Sequence, residues 1–403
     1  MSNQVNPKAD HVVVIGGGIA GMAATVILAE RGIRTTVLER QPDLGGRVGS
    51  FPMQIATGET VQMERGFHAF FRQYYNLRAL LKRISPQLDI LIPAGDYPVL
   101  GPNGTRQSFA GLPSRAPWNI VSLTRRTPSL TLSALRRVRL RSALSMLAFD
   151  PKLTYARHDQ RSATEYLDSL RFPPEARRLL FDVFAHSFFN PENDMSAAEL
   201  LMMFHFYFMG NREGLPFDVV RQPFSTGIWE PLRQYVEARG ATVCTNTEVQ
   251  SIRRKGLAWE IDIGDQSQGS LITDEVILAL DVPGLKLLLP KTPLMHGQWS
   301  EQVRNLQVTL PFAVWRLWLD RPTKAGRAPF VGTAGFPLLD NISLFHLFED
   351  ESKSWATVHG GSVVELHAYA VPEDTTEQDL KAAMLSGLHC LYPETRAAEP
   401  LDE

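Results

Sequence analysis

Residues 12–21 decide the fold, and they read VVVIGGGIAG. The first four are all β-branched, which is typical of a parallel strand whose two faces are both covered. Gly16, Gly18 and Gly21 follow at the spacing of the dinucleotide fingerprint. The order predicts a strand, a tight turn and a helix, which together begin a Rossmann-type α/β domain.

Each glycine of this fingerprint has its own physical purpose. Gly16 allows the tight turn, Gly18 lets a pyrophosphate approach bare backbone, and Gly21 lets the helix pack closely on the strand. The first turn of the helix, which includes Ala20, directs free N–H groups and a positive dipole end at the phosphates. We therefore expect these four residues to bind the cofactor.

A second strand ends in an acidic residue where a dinucleotide site requires one. Thr35–Leu38 has the pattern of this strand, and Glu39 follows it, 21 residues after Gly18. A carboxylate at this position accepts hydrogen bonds from the ribose hydroxyls. The complete order of strand, glycines, helix, strand and acid predicts dinucleotide binding. The alternative is a glycine-rich turn beside a surface glutamate.

The composition is that of a soluble globular protein. The 403 residues are 44% apolar and 21% charged, and this length corresponds to about two domains. The 41 basic residues nearly balance 43 acidic ones, so no global charge favours nucleic acid as a partner. Cys244 and Cys390 stand in no pairing motif, and the ten histidines have no paired ligand spacing. We predict neither a disulfide scaffold nor a metal site.

A second glycine segment distinguishes between nucleotide cofactors. Residues 43–47 read DLGGR, directly after the strand that ends in Glu39. This placement resembles the flavin-containing amine oxidase and phytoene desaturase superfamily, in which the segment crosses the FAD pyrophosphate. The resemblance implies FAD as the cofactor, with Gly46, Arg47 and Gly66 in contact with it. It also implies that the backbone of Val249 holds the adenine.

Three further segments narrow the resemblance. Residues 64–77 read ERGFHAFFRQYYNL, residues 311–320 read PFAVWRLWLD, and residues 361–369 read GSVVELHAY. They resemble the carotene desaturase/methyltransferase family, the isorenieratene synthase-like enzymes that convert carotenoid β-rings into aromatic rings. The resemblance spans about Val12 to Glu394. It implies an FAD-binding domain of Rossmann type with an inserted, largely helical substrate domain that carries a β-sheet.

The patterns and this resemblance together divide the chain into four ranges. Residues 1–95 and 219–292 form the FAD-binding domain, residues 96–218 a helical, membrane-facing substrate domain, and residues 293–403 its sheet and a terminal helix. Members of the superfamily end with a third FAD segment, an apolar strand followed by Gly-Asp and a helix. Because nothing of that pattern follows Tyr392, we expect the chain to be truncated before this segment, with residues 396–403 as a frayed tail.

The strongest local charge bias lies between Tyr97 and Phe149. This stretch contains no acidic residue, and its basic residues are Arg106, Arg115, Arg125, Arg126, Arg136, Arg137, Arg139 and Arg141. Apolar residues at helical spacing end it: Leu140, Ala143, Leu144 and Leu147. Such a segment can rest on anionic headgroups, and a solvated basic face is the alternative. Met1–Asp10 is polar and no apolar window is long enough to span a bilayer, so we expect a cytoplasmic, peripherally membrane-associated protein.

Two candidate catalytic residues follow the second glycine segment. Glu64 and His68 lie where members of the superfamily approach the isoalloxazine ring. A carboxylate would stabilise a ring cation left by hydride loss, and a histidine would take the proton that leaves afterwards. The alternatives are an ion pair of Glu64 with Arg65 or Arg72 and a structural hydrogen bond for His68.

The resemblance implies an FAD-dependent oxidoreductase that desaturates the carotenoid β-ring and moves one geminal methyl group to the adjacent carbon. A hydrophobic carotenoid offers no polar handle, so its affinity must come from apolar walls. The electron acceptor is not indicated. A polyene-chain carotene desaturase or isomerase, a non-redox lipid-binding relative, and an inactive fragment remain as alternatives.

Overall fold

The computed structural model describes residues 10–115, 118–126, 139, 146, 148–171, 177, 190–210, 212–264, 269–292 and 297–403. Within these ranges the α-helices are Ile19–Glu30 (α1), Tyr75–Leu81 (α2), Trp118–Arg126 (α3), Pro151–His158 (α4), Ala163–Leu170 (α5), Ala197–Phe204 (α6), Glu230–Glu237 (α7), Val282–Leu288 (α8), Gln298–Asn305 (α9), Asp350–His359 (α10) and Glu377–Leu391 (α11).

The strands form five sheets in the same ranges. They are His11–Ile15 (β1), Arg34–Leu38 (β2), Ser50–Gln54 (β3), Thr60–Glu64 (β4), Phe70–Phe71 (β5), Leu91–Pro93 (β6), Val99–Leu100 (β7), Arg106–Gln107 (β8), Phe217–Val220 (β9), Thr242–Cys244 (β10), Val249–Lys255 (β11), Ala258–Ile263 (β12), Ser270–Thr273 (β13), Glu275–Leu278 (β14), Ala313–Leu319 (β15), Phe330–Thr333 (β16), Asn341–Leu344 (β17), Ser362–Ala368 (β18) and Pro400–Asp402 (β19).

A four-stranded parallel sheet carries the amino-terminal fingerprint. Its strand order is β10-β2-β1-β14, and every neighbouring pair is parallel. All five residues of β1 are buried, as a strand covered on both faces requires. Helix α1 connects β1 to β2, so the predicted strand, turn, helix and second strand are confirmed. The sheet takes strands from both ranges assigned to the FAD-binding domain.

A seven-stranded sheet forms the other large layer, in the order β19-β15-β18-β17-β16-β7-β8. Its central strands β15 and β18 are antiparallel over their full length and match the aromatic-rich segments found in the sequence. One face packs under α11, where Leu317, Val364 and Leu366 are fully buried together with Met384 and Leu388. The opposite face points toward residues 66–71.

Three small sheets connect these layers. The hairpin β3-β4 ends at Glu64, and β5 pairs with the buried strand β9, which also pairs with β6. These contacts hold residues 65–69 between the hairpin and the seven-stranded sheet. The third small sheet is the antiparallel meander β11-β12-β13.

The helical region is capped by short polar side chains. Ser162 accepts a hydrogen bond from the Glu165 N–H at the start of α5, and Ser196 accepts one from Ala198 N–H at the start of α6. Beyond α6 the chain continues as a π-turn, His205–Met209. Of the basic segment, Arg136, Arg137 and Arg141 lie outside the described residues, as do the apolar positions Leu140, Ala143, Leu144 and Leu147.

The expectation of a frayed tail at residues 396–403 is wrong. Pro400–Asp402 pairs with β15 as the edge strand of the large sheet, and Lys381 Nζ lies 2.7 Å from Glu403 Oε1. The polar composition of this segment concealed the strand. A proline is tolerated there because the N–H of an edge strand can face away from the sheet.

We expect Leu317→Ala in β15 to lower the free energy of unfolding by about 2–5 kcal/mol, because a fully buried leucine leaves a cavity. Urea unfolding followed by fluorescence measures this change. The matched control is Leu257→Ala, at a side chain that is 93% exposed, which should change stability by less than about 0.5 kcal/mol. Equal effects of the two substitutions would contradict the placement of β15 in the core.

Candidate active site

The first glycine turn leaves bare backbone at the start of α1. Gly16 has a φ of +106°, and a Cβ added to Gly21 would lie 1.9 Å from the Gly16 carbonyl oxygen. Only glycine therefore allows α1 to approach β1 this closely. A Cβ added to Gly18 would meet only the Gly45 carbonyl oxygen, at 3.9 Å. No side chain caps the helix at Gly18, and Ala20 is exposed in its first turn.

Glu39 lies beside this turn, at the carboxyl end of β2. Its Oε2 accepts a hydrogen bond from Gly17 N–H at 2.6 Å, and its Oε1 accepts one from Gln41 N–H at 2.8 Å. A carboxylate has about four lone-pair sites, so acceptor capacity remains for a ligand. The backbone of Glu39 also pairs with Cys244 and Thr247, which brings the start of β11, and hence Val249, toward the same edge of the sheet.

The second glycine segment joins the first directly. Gly45 N–H donates to the Gly17 carbonyl oxygen at 2.9 Å, and Gly45 and Gly46 both have positive φ values. The Trp229 indole fills the space over Gly45 and donates to the Val48 carbonyl oxygen at 2.6 Å. Gly46 and Arg47 remain exposed beside Gly18.

These features fit the diphosphate of a dinucleotide. Open glycine backbone, an uncapped helix N-terminus and an exposed arginine converge on one edge of a parallel sheet, and each favours an anion. Within the described ranges, no group of three or more His, Cys, Asp or Glu side chains could hold a metal ion.

Glu64 is fully buried at the end of β4, but neither expected arginine is its partner. Arg65 stacks over the Phe51 ring, and Arg72 pairs with Asp218 at 3.1 Å. Instead, Glu64 Oε2 lies 3.8 Å from Nη2 of Arg316 on β15. The expected pairing of Glu64 with Arg65 or Arg72 is wrong, because β4 directs the side chain into the interior while its neighbours face outward.

Arg316 forms a closer ion pair with a second carboxylate, that of Glu365. It stands directly opposite Glu365 in the β15-β18 ladder, where its Nε donates to Glu365 Oε2 at 2.8 Å and its Nη2 lies 2.7 Å from the same oxygen. All three side chains are buried. Burial raises the pKa of Glu64 well above its usual 4.5, and Arg316 only partly offsets this. For Glu365 burial acts in the same sense, but Arg316 and His367 outweigh it and lower the pKa.

His68 follows this cluster along the chain. Its Nδ1 lies 2.7 Å from the Gly66 carbonyl oxygen, and its ring meets the Phe224 ring edge to face at 5.5 Å. Burial is the main cause that lowers the pKa of His68 below its ordinary 6.5, and the charge of nearby Arg47 acts in the same direction. His68 therefore stands near the exposed Arg47 of the second glycine segment as a neutral imidazole at pH 7.

Gly66 occupies a position that only glycine can take. Its φ is +111°, and an added Cβ would lie 3.0 Å from His367 Cε1 and 3.0 Å from Val314 Cγ2. The turn that leads to His68 is thus pressed against the large sheet. Its role as a cofactor contact stays a prediction, as does that of Val249.

Sequence reasoning missed Arg316, Glu365, His367 and Tyr369 as a connected group. The signal was present in β18, because Glu365, His367 and Tyr369 alternate and so share one face, while the strand is otherwise apolar. Polar residues at period two inside a fully buried strand indicate a partner on another strand. That partner, Arg316, could be assigned only once the register of β15 and β18 was known.

An aromatic wall adjoins these groups. Phe67 stacks on Phe330 at 4.5 Å, and its ring also meets Phe217 and Phe348 edge to face. Phe217 continues the wall to Tyr97. Apolar aromatic surface therefore flanks the buried charges on the side of the turn at residues 66–68.

Comparison with known proteins identifies the family. The model of the flavin containing amine oxidoreductase family matches residues 19–402. A carotenoid phi-ring synthase from Streptomyces griseus is 44% identical over 98% of this chain and 76% of its own length. Another carotenoid phi-ring synthase, from Chlorobaculum tepidum, is 26% identical over 96% of this chain and 78% of its own length.

A solved structure supports the same fold. Putrescine oxidase bound to putrescine superposes with a TM-score of 0.68 at 16% identity, over 98% of this chain and 84% of its own. The predicted Rossmann-type FAD fold, the FAD cofactor and the resemblance stated from the sequence are confirmed. The residues that converge around Gly18 and Glu39 belong to an FAD-dependent oxidoreductase, and the chain is a member of the flavin-containing amine oxidoreductase family.

Proposed function

We propose that this protein oxidises the β-ring of a carotenoid and moves one geminal methyl group to the adjacent ring carbon, which gives an aromatic ring. The observation that carries the proposal is the likeness, along nearly the whole chain, to a carotenoid phi-ring synthase. The three segments that resemble ring-aromatising enzymes also come together in space, since residues 64–77 lie against β15 and β18.

The aromatic wall suits a substrate without polar groups. A carotenoid ring and its polyene chain bind through contact area alone, at about 25 cal/mol per Å² of apolar surface removed from water. Phe67, Phe217 and Phe330 supply rigid faces at little entropic cost, and such faces also stabilise a cation. Burial raises the pKa of Glu64 and disfavours its charged form, so aromatic faces are better placed than Glu64 to stabilise a ring cation.

FAD, when bound, would accept the hydride that the ring loses. For its diphosphate we propose Gly16, Gly18, Ala20, Gly21, Gly46 and Arg47, with Glu39 at the ribose and Val249 at the adenine. The neighbouring turn at Gly66 and His68 then lies toward the reacting ring. The chain's own contribution is to hold these groups, exclude water and accept a proton.

Peripheral contact with a membrane is part of this proposal, since carotenoids reside in lipid. No helix in the described ranges is long and apolar enough to cross a bilayer. Helix α3 carries Trp118, which is 64% exposed, and ends with exposed Arg125 and Arg126. It has no acidic residue in its first turn. An exposed tryptophan next to arginines is typical of a helix at a lipid surface.

Coexpression with a β-carotene pathway tests the reaction. We expect a new carotenoid that has lost hydrogen, retains all its carbon atoms and carries methyl signals on an aromatic ring in the NMR spectrum. Oxidation of a partly saturated acyclic carotene, with β-carotene itself left unchanged, would indicate a polyene-chain desaturase instead. Unchanged β-carotene in cells that contain soluble, flavin-loaded protein would contradict the proposed ring oxidation. Protein that binds carotenoid without flavin would favour the lipid-binding alternative.

Two glycine substitutions separate cofactor binding from folding. Gly18→Ala should abolish the flavin absorbance that survives gel filtration but leave the Tm of the apoprotein unchanged, because its Cβ meets open space in the chain. Gly21→Ala should lose both flavin and stability, because its Cβ collides with the Gly16 carbonyl. A Gly18→Ala protein that retains flavin like the wild type would contradict the assignment of this turn to the diphosphate.

Vesicle binding tests the membrane surface. We expect the protein to cosediment with vesicles that contain anionic phospholipid and to dissociate as salt is raised, since exposed charges are screened. The double substitution of Trp118→Ser and Arg125→Gln should weaken this binding. Its matched control removes an exposed leucine and an arginine elsewhere, with Leu257→Ser and Arg254→Gln. Equal loss in both variants would argue against α3 as the contact.

A further inference from the structure

A continuous series of contacts runs from Arg316 to His68. Arg316 donates to Glu365 at 2.8 Å, and Glu365 Oε1 lies 2.7 Å from His367 Nε2. The His367 ring packs on Gly66, where a Cβ would lie 3.0 Å from His367 Cε1. The Gly66 carbonyl in turn receives Nδ1–H of His68 at 2.7 Å.

His367 is held from both sides of its ring. Its Nδ1 lies 3.0 Å from the Tyr369 hydroxyl, which also accepts a hydrogen bond from Asn341 Nδ2 at 2.7 Å. With that acceptor site used, the hydroxyl proton of Tyr369 can point to Nδ1, while Nε2–H donates to Glu365. Both ring nitrogens of His367 are thereby occupied, and its ring is locked at one orientation against Gly66.

The charge balance of the cluster explains why this arrangement holds. Glu349 accepts the N–H groups of Glu351 and Ser352 at the start of α10. Glu365 is stabilised by Arg316. Glu64 has one weak bond, from Phe224 N–H at 3.2 Å, and a guanidinium too distant for a hydrogen bond. Arg316 therefore pairs directly with Glu365, while burial raises the pKa of Glu64 and disfavours its charged form.

The proton of His68 is placed by its neighbour. A carbonyl oxygen only accepts, so Nδ1 of His68 carries the hydrogen and Nε2 keeps its lone pair. The charged and titratable groups that face His68 are His367 and Glu365 from β18 and Arg47 from the second glycine segment. None of them forms a hydrogen bond to Nε2 in the structure as described.

We propose that His367, locked by Glu365 and Arg316, is a positioning residue that fixes the turn Gly66–His68 and thereby presents the Nε2 lone pair of His68 to the substrate ring as the base. This inference rests on the proposed function. In the step, a ring C–H bond beside the cation breaks, its electron pair enters the ring π system, and the proton passes to Nε2. The preceding hydride is accepted by FAD, so no further oxidant is needed for this step.

The first test is the pH profile of the formation of the deprotonated ring product from β-carotene in single turnovers, measured by quenching and pigment analysis, because the proton leaves after the flavin is reduced. In the wild type the rate should fall only below pH 6.5, since the base must be neutral and its pKa is lowered. His367→Ala frees the turn and hydrates His68, so the acid limb should move up toward 6.5 and the rate at pH 7 should fall about 100-fold. His367→Gln keeps a donor to Glu365 and should restore most of both properties.

A matched control is Glu394→Gln, which breaks an ion pair with Arg327 at the edge of the same half of the chain, away from His367. It should leave the pH profile in place even if stability falls. A His367→Ala protein that is slower but has an unshifted acid limb would show that His367 is only structural, and this result would overturn the positioning role. Full activity of His68→Gln would overturn the role of His68 as the base.

A second measurement does not depend on turnover. Nitrogen-15 NMR of histidine-labelled, flavin-loaded protein, with the His68 signal assigned by its loss in His68→Gln, should show the Nδ1–H tautomer at pH 7. His367→Ala should shift the His68 signals toward the mixed tautomers of a solvated imidazole. An Nε2–H tautomer or an imidazolium in the wild type would overturn the inference. Failure to form an aromatic product would instead refute the proposed function, and the tautomer would still report on the turn.

Discussion

The close approach of α1 to β1 is the constraint on which the FAD half of the molecule depends. The Gly16 carbonyl occupies the space where any side chain at position 21 would begin, so helix and strand can pack only around a glycine. With this contact made, β2 aligns beside β1, and β10 aligns beside β2. The carboxyl ends of these parallel strands then bring the bare turn, Glu39 and the second glycine segment to one edge of the sheet.

The seven-stranded sheet has two chemically different faces, and this difference relates the fold to the reaction. One face is aliphatic and packs under α11, with Leu317 and Leu366 at its centre. The other carries Arg316 and Glu365 directly opposite each other. Removal of one partner from such a buried pair typically costs about 3–5 kcal/mol, because the remaining charge stays buried without compensation.

An apolar pair of similar volume would hold two strands together as well as this ion pair does. What the ion pair adds is direction, since hydrogen bonds fix the orientation of Glu365 and, through it, of His367. The turn at Gly66 packs on His367 and turns back to place His68 near Arg47. The glycine turns at one edge of the parallel sheet thus lie near an imidazole whose turn packs on the other large sheet, and aromatic rings adjoin both.

The local sequence determined the elements that depend on neighbouring residues. The spacing of three glycines, the acid after β2 and the caps at Ser162 and Ser196 each act within a few residues, so strand, turn and helix starts could be predicted. Helix α6 shows the limit. Glu199, three residues after the cap Ser196, has the spacing that would let it return to the Ser196 N–H, but it accepts from the Tyr155 hydroxyl at 2.6 Å instead, because α4 packs against α6.

Only the tertiary structure decided the buried partners. Glu64 and Arg316 are distant in sequence, and their meeting depends on the hairpin β3-β4 reaching the large sheet. The strand at Pro400–Asp402 likewise exists because β15 offers it an edge, not because of its own residues. Local patterns specify backbone conformation through short-range sterics and hydrogen bonds, whereas the pairing of charges and edges follows from sheet register, which the chain acquires only on folding.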